Sequence, residues 1–252
     1  MRTGLLVHIP GPLVSEPYLD MTVAVMGAFG IEVVTEVAQT WSVPPSTYRA
    51  TRYAIEPDAS AASYAFAAAA VVGGQVTVAG LGRRTLQGDH AFVDLLERMG
   101  AVVERGDAST TVRGSGALHG IEADLSQMSD VAQTLAVVAA FADSPTRVTG
   151  IGFIRGKETD RVGNVVTELR RAGIDAEEEP DGYVVRPGPI RPATIDTYED
   201  HRMAMAFALL GLRAPGIRIA DPGCVAKTFP GYWAMLQGLR EGGPTQTRVP
   251  AS

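Results

Sequence analysis

"DASAASYAFAAAAVVGGQVTVAGL", residues 58–81, contains the pattern that decides the fold. It begins with an aspartate, which is a favourable residue at the amino-terminal cap of a helix. The alanine-rich stretch that follows has almost no polar face, so it predicts a helix that is buried on most sides. A pair of glycines ends this stretch, and the β-branched run after them predicts a short strand.

Two further segments share this design, beginning at Asp130 and at Asp200. After the strand, each of the three segments predicts a polar loop, a second helix and another strand. The second helix ends near a glycine in every case, at Gly100, Gly173 and Gly242. The interval from the aspartate to this glycine is constant to within a single position. The repeat period is about 70 residues, and such a fixed period indicates three copies of one structural unit.

The first part of the sequence fits the same spacing. Residues 4–34 have the pattern of the second half of a unit, with Gly30 at the helix end, so the repeat predicts that the sequence begins within a unit. Residues 36–56 predict a strand and a proline-containing connector. We therefore expect an α/β (α+β) fold with one complete domain and part of another. The expected ranges are an incomplete domain at 1–48, a three-repeat domain at 49–243 and a flexible tail at 244–252.

The composition excludes several classes of protein. The 252 residues carry a formal net charge of −6, which argues against a general attraction for nucleic acid or an acidic membrane surface. The single cysteine, Cys224, excludes an internal disulfide and a cysteine-based metal site. No apolar run approaches the length of a membrane span. We expect a cytoplasmic protein with neither a nucleic-acid nor a membrane partner.

Charged residues are concentrated at the loops that join a strand to the next helix. "RGKETDR", residues 155–161, is the densest example. If it forms the first turn of a helix, Lys157 and Glu158 each lie beside Arg161, although such pairs are common on solvated helices. Free N–H groups at a helix start attract anions. The helix dipole disfavours a cation there, so Arg202 in the first turn of its predicted helix indicates another task.

Six motifs occur in a fixed order along the chain. They are "LVSEPYLDMT", "DASAASYAFAAAAVVGG", "QGD", "RGKETDR", "DHRMAMAF" and "AKTFPGYW". Together they closely resemble the carboxy-terminal part of the EPSP synthase (3-phosphoshikimate 1-carboxyvinyltransferase) family, from about residue 10 to 240. The resemblance implies the enolpyruvyl transferase fold, an inverse α/β barrel of repeated helix-and-sheet units, with the active site in a cleft between two domains.

The resemblance also implies a reaction and its catalytic residues. Members of the family transfer the enolpyruvyl group of phosphoenolpyruvate to the 5-hydroxyl of shikimate 3-phosphate and release phosphate, a step of the shikimate pathway. By matched motif, Asp130 would contact the shikimate hydroxyls and act as the base. Glu158 would deliver and remove the proton at the methylene carbon. Lys157 would contact the phosphate ester or assist proton transfer. No metal or organic cofactor is implied.

The remaining site residues are implied to bind the two anionic substrates. Arg161 and Arg202 would hold the phosphoenolpyruvate carboxylate, because a planar guanidinium binds a carboxylate in two-pronged fashion. Lys227 would hold the phosphate of phosphoenolpyruvate. Ser15 would contact the phosphate of shikimate 3-phosphate, and Tyr18 would line the same pocket.

Two departures from the family pattern leave alternatives open. Phe153 stands where the family often has a substrate-binding asparagine, and the residues around Asp130 differ from the usual ones. The family's amino-terminal substrate-binding motifs are absent from this sequence, so we expect poor substrate binding unless a separate amino-terminal fragment is supplied. The alternatives are a non-catalytic remnant and an enolpyruvyl transferase that acts on another phosphorylated acceptor.

Overall fold

The computed structural model describes residues 3–37 and 39–242, so the predicted tail at 244–252 lies outside the described residues. The helices are α1 (Glu16–Ala28), α2 (Ala59–Val72), α3 (Phe92–Arg98), α4 (Ala132–Ala139), α5 (Gly163–Arg171), α6 (His201–Ala208) and α7 (Tyr232–Glu241). The strands are β1 (Leu5–His8), β2 (Val34–Val37), β3 (Thr40–Val43), β4 (Gln75–Ala79), β5 (Val102–Arg105), β6 (Ser109–Arg113), β7 (Glu122–Asp124), β8 (Thr146–Thr149), β9 (Asp175–Glu179), β10 (Gly182–Arg186), β11 (Ala193–Ile195) and β12 (Ile217–Ile219).

The predicted repeat is present as three consecutive units. The first two units have the order helix, strand, helix and hairpin, namely α2–β4–α3–β5–β6 and α4–β8–α5–β9–β10, and the third is α6–β12–α7. The sequence predicted a single strand after the second helix, which is wrong for the first two units because two strands follow there. The predicted helix-ending glycine is confirmed at Gly242, whose φ of 72° is a left-handed conformation that glycine adopts without strain.

Within residues 3–37 and 39–242, the strands form four small sheets rather than one large one. The first unit has the order β4-β6-β5, and the second has β7-β8-β10-β9, in which β7 and β8 are parallel and the other pairs are antiparallel. In the third unit β11 and β12 are parallel and form a two-stranded sheet. The amino-terminal residues contribute the antiparallel sheet β1-β3-β2.

The core lies where the first helices of the three units meet. Helix α4 packs against both α2 and α6, and all eight of its residues are buried. Small alanine side chains such as Ala67 and Ala136 let these helices approach closely, and both are fully buried. Two buried tyrosines find hydrogen-bond acceptors, since the hydroxyl of Tyr183 donates to the carbonyl of Ala132 and that of Tyr232 donates to Met205. The prediction of buried alanine-rich helices is therefore confirmed.

The amino-terminal region contacts the three units mainly at the start of α1. The backbone N–H of Ser15 donates to the carbonyl of Ser126 at 2.8 Å, and the N–H of Glu16 donates to the side chain of Gln127 at 2.9 Å. These bonds place the first turn of α1 beside the turn that precedes α4. Among the residues the structure describes, none of the helices has the length and apolar character needed to cross a bilayer.

Candidate active site

The loop between β8 and α5 carries the densest charge of the candidate site. The prediction that Lys157 to Arg161 form the first helical turn is wrong, because α5 begins only at Gly163. Asp160 makes the contact expected of a helix start, since its carboxylate accepts from the N–H groups of Val162 and Gly163 at 3.1 and 2.9 Å. Lys157, Glu158 and Arg161 therefore come from a loop that is fixed immediately before the helix.

Asp130 is the centre of the charge cluster. The prediction that it caps a helix is wrong, because it lies in a 3-10 turn and its side chain makes no capping bond. Its Oδ1 instead accepts from Lys157 Nζ at 2.8 Å and from Arg161 Nη1 at 3.3 Å, while Oδ2 accepts from Arg202 Nη2 at 2.7 Å. Burial alone would raise the pKa of Asp130, but the charges of Arg202 and Lys157 outweigh it and the pKa lies below its ordinary value.

Arg161 is the most deeply buried cation of the cluster, with 1% of its surface exposed. Its Nε donates to Oδ2 of Asp200 at 2.7 Å and its Nη2 donates to Oδ1 at 3.2 Å, a two-pronged arrangement. The same Nη2 lies 2.7 Å from Oε2 of Glu158. Asp200 is also the cap of α6, because its Oδ1 accepts from the N–H of Arg202 at 2.8 Å. The sequence indicated the cap but not the ion pair with Arg161.

Glu158 joins this cluster to the third unit. Its Oε1 accepts from Lys227 Nζ at 2.8 Å, and Lys227 ends the 3-10 turn that follows β12. Burial alone would raise the pKa of Glu158, but the hydrogen bond from Lys227 and the charge of Arg161 lower it to about 2. The carboxylate is thus ionised at neutral pH in this arrangement. It can donate a proton only after these cations are drawn away or neutralised.

Tyr18 connects the amino-terminal region to the cluster. Its hydroxyl lies 3.1 Å from Oδ2 of Asp89 and 3.3 Å from Oδ2 of Asp130. Asp89 is buried, and it also accepts a hydrogen bond from the hydroxyl of Ser60. Burial raises the pKa of Asp89 above its ordinary value. Tyr18, Asp89, Ser60, Asp130 and Arg202 line one cavity of about 220 Å³.

The structure brings most of the predicted site residues into one connected network. Asp130, Lys157, Glu158, Arg161, Arg202, Lys227 and Tyr18 are linked by hydrogen bonds and ion pairs. Ser15 instead bonds Ser126 and Tyr18 through its backbone, and its side chain does not cap α1. Sequence reasoning missed Ser60 and Asp89, although both lie in the quoted motifs "DASAASY" and "QGD". No local sequence pattern indicated that Ser60 and Asp89 lie in contact with each other.

Within 3–37 and 39–242, no group of three or more histidine, cysteine, aspartate or glutamate side chains could hold a metal ion. The groups that the cluster brings together are carboxylates, ammonium groups and guanidinium groups. Such a set can transfer protons and bind carboxylates and phosphates.

Comparison with known proteins identifies the family. The family model described as EPSP synthase (3-phosphoshikimate 1-carboxyvinyltransferase) matches residues 1–236. The chain belongs to the EPSP synthase family. It is 49% identical over 235 residues to the curated 3-phosphoshikimate 1-carboxyvinyltransferase of Nostoc punctiforme, covering 93% of this chain and 55% of that relative. A relative of the same name from Methanosphaerula palustris is 45% identical over 223 residues, with 88% and 53% covered. The chain thus spans about half the length of the curated relatives it matches.

Solved structures confirm the predicted fold. An EPSP synthase from Acinetobacter baumannii matches with a TM-score of 0.81 and 27% identity, over 94% of this chain and 56% of that one. The enolpyruvyl transferase NikO from Streptomyces tendae matches with a TM-score of 0.70 and 22% identity, over 96% and 56% of the two chains. The second match supports the enolpyruvyl transferase fold and nothing beyond it.

Proposed function

We propose that this chain supplies one wall of the active site of a 3-phosphoshikimate 1-carboxyvinyltransferase. The reaction transfers the enolpyruvyl group of phosphoenolpyruvate to the 5-hydroxyl of shikimate 3-phosphate and releases phosphate. One observation carries the proposal, namely that two ionised carboxylates share a single cluster with four cations. The cations are Lys157, Arg161, Arg202 and Lys227. A reaction between two anionic substrates with two proton transfers needs both kinds of group.

We assign the two lysines, which are the more exposed cations, to the phosphate groups of the substrates. We assign the two arginines to the carboxylate of phosphoenolpyruvate. Lys227 is the most accessible of the four, with 55% of its side chain exposed, and we assign it to the phosphate of phosphoenolpyruvate. Lys157 is about a third exposed and is assigned, together with Ser15, to the phosphate ester. Arg202 lines the cavity beside Tyr18 and is assigned, together with Arg161, to the carboxylate of phosphoenolpyruvate.

Substrate binding would change the protonation of the two catalytic carboxylates. Asp130 and Glu158 neutralise the cations in this structure, and those same cations lower the pKa of both carboxyl groups. Anionic substrate groups that take over Arg202, Lys157 and Lys227 would weaken these contacts and raise both pKa values. Asp130 would then accept the proton of the hydroxyl, and Glu158 would exchange a proton with the methylene carbon.

The second wall of the cleft is proposed to come from the amino-terminal part of the family's chain. The support is that the chain covers 55% of the Nostoc relative and lacks the amino-terminal substrate-binding motifs of the family. We therefore expect no detectable phosphate release when this chain alone is mixed with both substrates.

The test supplies the missing part in trans. The portion of the Nostoc punctiforme relative that precedes the matched region would be co-expressed with this chain, and phosphate release would be measured with both substrates. Turnover should require both polypeptides and should fall at least about 100-fold in Glu158→Gln and Asp130→Asn. Asp143→Asn is the control, because that carboxylate pairs with His119 on an exposed surface. Full turnover by this chain alone, or unchanged turnover in both variants, would contradict the proposal.

Phe153 supports one alternative acceptor. Its ring lies 5.9 Å from Lys157 Nζ, where an asparagine would offer a hydrogen bond to a substrate. If the co-expressed pair turns over phosphoenolpyruvate only with another phosphorylated acceptor, the transferase assignment stands and the acceptor assignment is wrong. If no acceptor supports phosphate release, the chain is a non-catalytic remnant.

A further inference from the structure

The motif "QGD", residues 87–89, has no task in the reaction proposed above. It lies in the loop after β4, where a short 3-10 turn begins. The side-chain oxygen of Gln87 accepts from the N–H of Ala59 at 2.8 Å, so the loop is fixed to the start of α2. A Cβ atom at Gly88 would lie 2.5 Å from Cβ of Pro17, which is closer than carbon atoms pack. Glycine at this position therefore lets the first turn of α1 lie directly against the loop.

This close approach places the hydroxyl of Tyr18 between two carboxylates. The hydroxyl lies 3.1 Å from Oδ2 of Asp89 and 3.3 Å from Oδ2 of Asp130. A phenol carries one proton, so it can donate to one of these oxygens and presents a lone pair to the other. The carboxylate that receives the proton decides whether Tyr18 stabilises or opposes the negative charge of Asp130.

The two carboxylates differ in the groups that stabilise their charge. Asp130 is paired with three cations of the cluster, at distances of 2.7 to 3.3 Å. Asp89 is 2% exposed, and its donors within residues 3–37 and 39–242 are two hydroxyls, those of Ser60 and Tyr18. Its Oδ1 is buried and has no hydrogen-bond partner in the same ranges. Because a buried carboxylate without donors is costly, the proton of Tyr18 is most stabilising when Asp89 accepts it.

The titratable and charged groups around Asp89 come from several elements. Around it lie Tyr18 on α1, Asp58 at the cap of α2, Asp130 before α4 and Arg202 on α6. Burial and the charge of Asp130 raise the pKa of Asp89, whereas Arg202 and the hydrogen bond from Tyr18 lower it. The proton of Tyr18 is therefore one of the groups that keep Asp89 ionised.

We propose that Asp89 is a positioning residue that holds the hydroxyl proton of Tyr18, so that the phenol oxygen faces Asp130 as a hydrogen-bond acceptor. A lone pair beside Oδ2 opposes the ionised form of Asp130 and accepts a hydrogen bond from its protonated form. Asp89 thus makes Asp130 a stronger base. The inference rests on the proposed function, in which Asp130 is the base.

The proton transfer can be written with every proton assigned. The O–H bond of the acceptor hydroxyl breaks, its proton moves to Oδ2 of Asp130, and its electron pair forms the new C–O bond to phosphoenolpyruvate. The methylene carbon takes its proton from Glu158. The new Oδ2–H of Asp130 then donates to the oxygen of Tyr18, whose own proton stays with Asp89.

The first measurement follows both carboxyl groups in this chain alone, so it does not depend on catalysis. The carboxyl ¹³C resonances of Asp89 and Asp130 would be assigned through the bonded Cβ protons and titrated from about pH 8 to about pH 3. In Tyr18→Phe the acid dissociation constant of Asp89 should fall about tenfold, because its ionised form loses a hydrogen bond. An unchanged constant at Asp89, or a fall at Asp130 as large as that at Asp89, would overturn the proposal.

The second measurement follows catalysis in the co-expressed pair of polypeptides. Asp89→Asn should lower kcat about tenfold and leave KM for both substrates within about twofold, because it weakens the base and removes no proposed substrate contact. The acid limb of the pH profile of kcat/KM should move to lower pH, since a weaker base stays ionised to lower pH. In a Tyr18→Phe background the same substitution should change kcat by less than about twofold.

Asp143→Asn is the matched control, because it neutralises an exposed carboxylate and should leave both measurements unchanged. Circular dichroism would establish that each variant is folded. If Asp89→Asn does not fold, the titration in Tyr18→Phe still decides. Equal falls in kcat with and without Tyr18 would show that Asp89 acts by its charge alone, and would overturn the proposal. If the pair shows no turnover with any acceptor, the proposed function is wrong, while the titration still decides whether Asp89 holds the proton of Tyr18.

Discussion

Helices α1 and α2 are both apolar, yet they have opposite surroundings. Eleven of the fourteen residues of α2 are buried, whereas α1 has no buried residue among its thirteen. Helix α2 packs against α4 and the strands of its own unit. An apolar composition therefore predicts that a helix is buried by packing. Whether other elements pack against it depends on the rest of the fold.

The sheet β1-β3-β2 also has large apolar side chains that are exposed to solvent. Leu6 and Val37 are 63% and 65% exposed and lie on the two outer strands of this sheet.

The largest expected effect on the free energy of unfolding comes from a matched pair of substitutions, one in each of these helices. Ala67→Asp would place a carboxylate in α2 where no surface is exposed, and should lower the free energy of unfolding by about 4 kcal/mol. Ala28→Asp at the exposed end of α1 should cost less than about 1 kcal/mol. Urea unfolding followed by circular dichroism measures both. Equal costs would show that α1 is as well packed as α2.

A second comparison extends the contrast from apolar to charged groups. Asp200→Asn leaves the buried guanidinium of Arg161 without its two-pronged carboxylate partner, and should lower the free energy of unfolding by about 3 kcal/mol. Glu104→Gln removes an exposed ion pair with Arg113 and should change the free energy of unfolding by less than about 0.5 kcal/mol. Thermal unfolding of both variants tests this, and a small effect at Asp200 would mean that Arg161 finds another partner.

A smaller effect than at Asp200 is expected at Glu158, which is partly exposed. Its pKa is lowered to about 2 in the folded chain, so the stability it contributes is present above its ordinary pKa of 4.5 and is lost as the pH falls towards 2. Because solvent screens the group, its contribution at pH 7 should be about 1 kcal/mol. The difference in unfolding free energy between the original chain and Glu158→Gln should therefore shrink between pH 5 and pH 2. A constant difference over that range would contradict the ion pairs of Glu158.

Local signals in the sequence predicted the repeat well. A cap such as Asp58, a helix-ending glycine and an alanine-rich stretch each act within about four residues, so they can be recognised without knowledge of the fold. The same signals failed at Lys157, because α5 begins only at Gly163 and the carboxylate that accepts from the backbone N–H groups at its start belongs to Asp160. Local spacing does not show which of several polar residues will be the cap.

Long-range partners could be predicted only through the family resemblance. Tyr18 and Asp130 are 112 residues apart, and Arg202 and Asp130 are 72 apart, so no local pattern indicates that they meet. The pairing of Arg161 with Asp200 was missed for the same reason. Both Arg161 and Asp200 are buried, so the pair matters for stability. Burial depends on how the units pack together, which a local pattern does not show.

The charge cluster also has a consequence for how the chain folds. Each hairpin of the first two units joins residues that are close in sequence, so these hairpins can form early at small cost in loop entropy. The contacts of Asp130 and Arg161 instead join the second unit to the third and to Tyr18 of α1, and they require the closing of much longer loops. We expect the cluster to form after the hairpins, with Arg161 losing its water only when its carboxylates arrive. An intermediate in which one unit is misplaced would keep this arginine hydrated, which disfavours a compact but wrongly assembled chain.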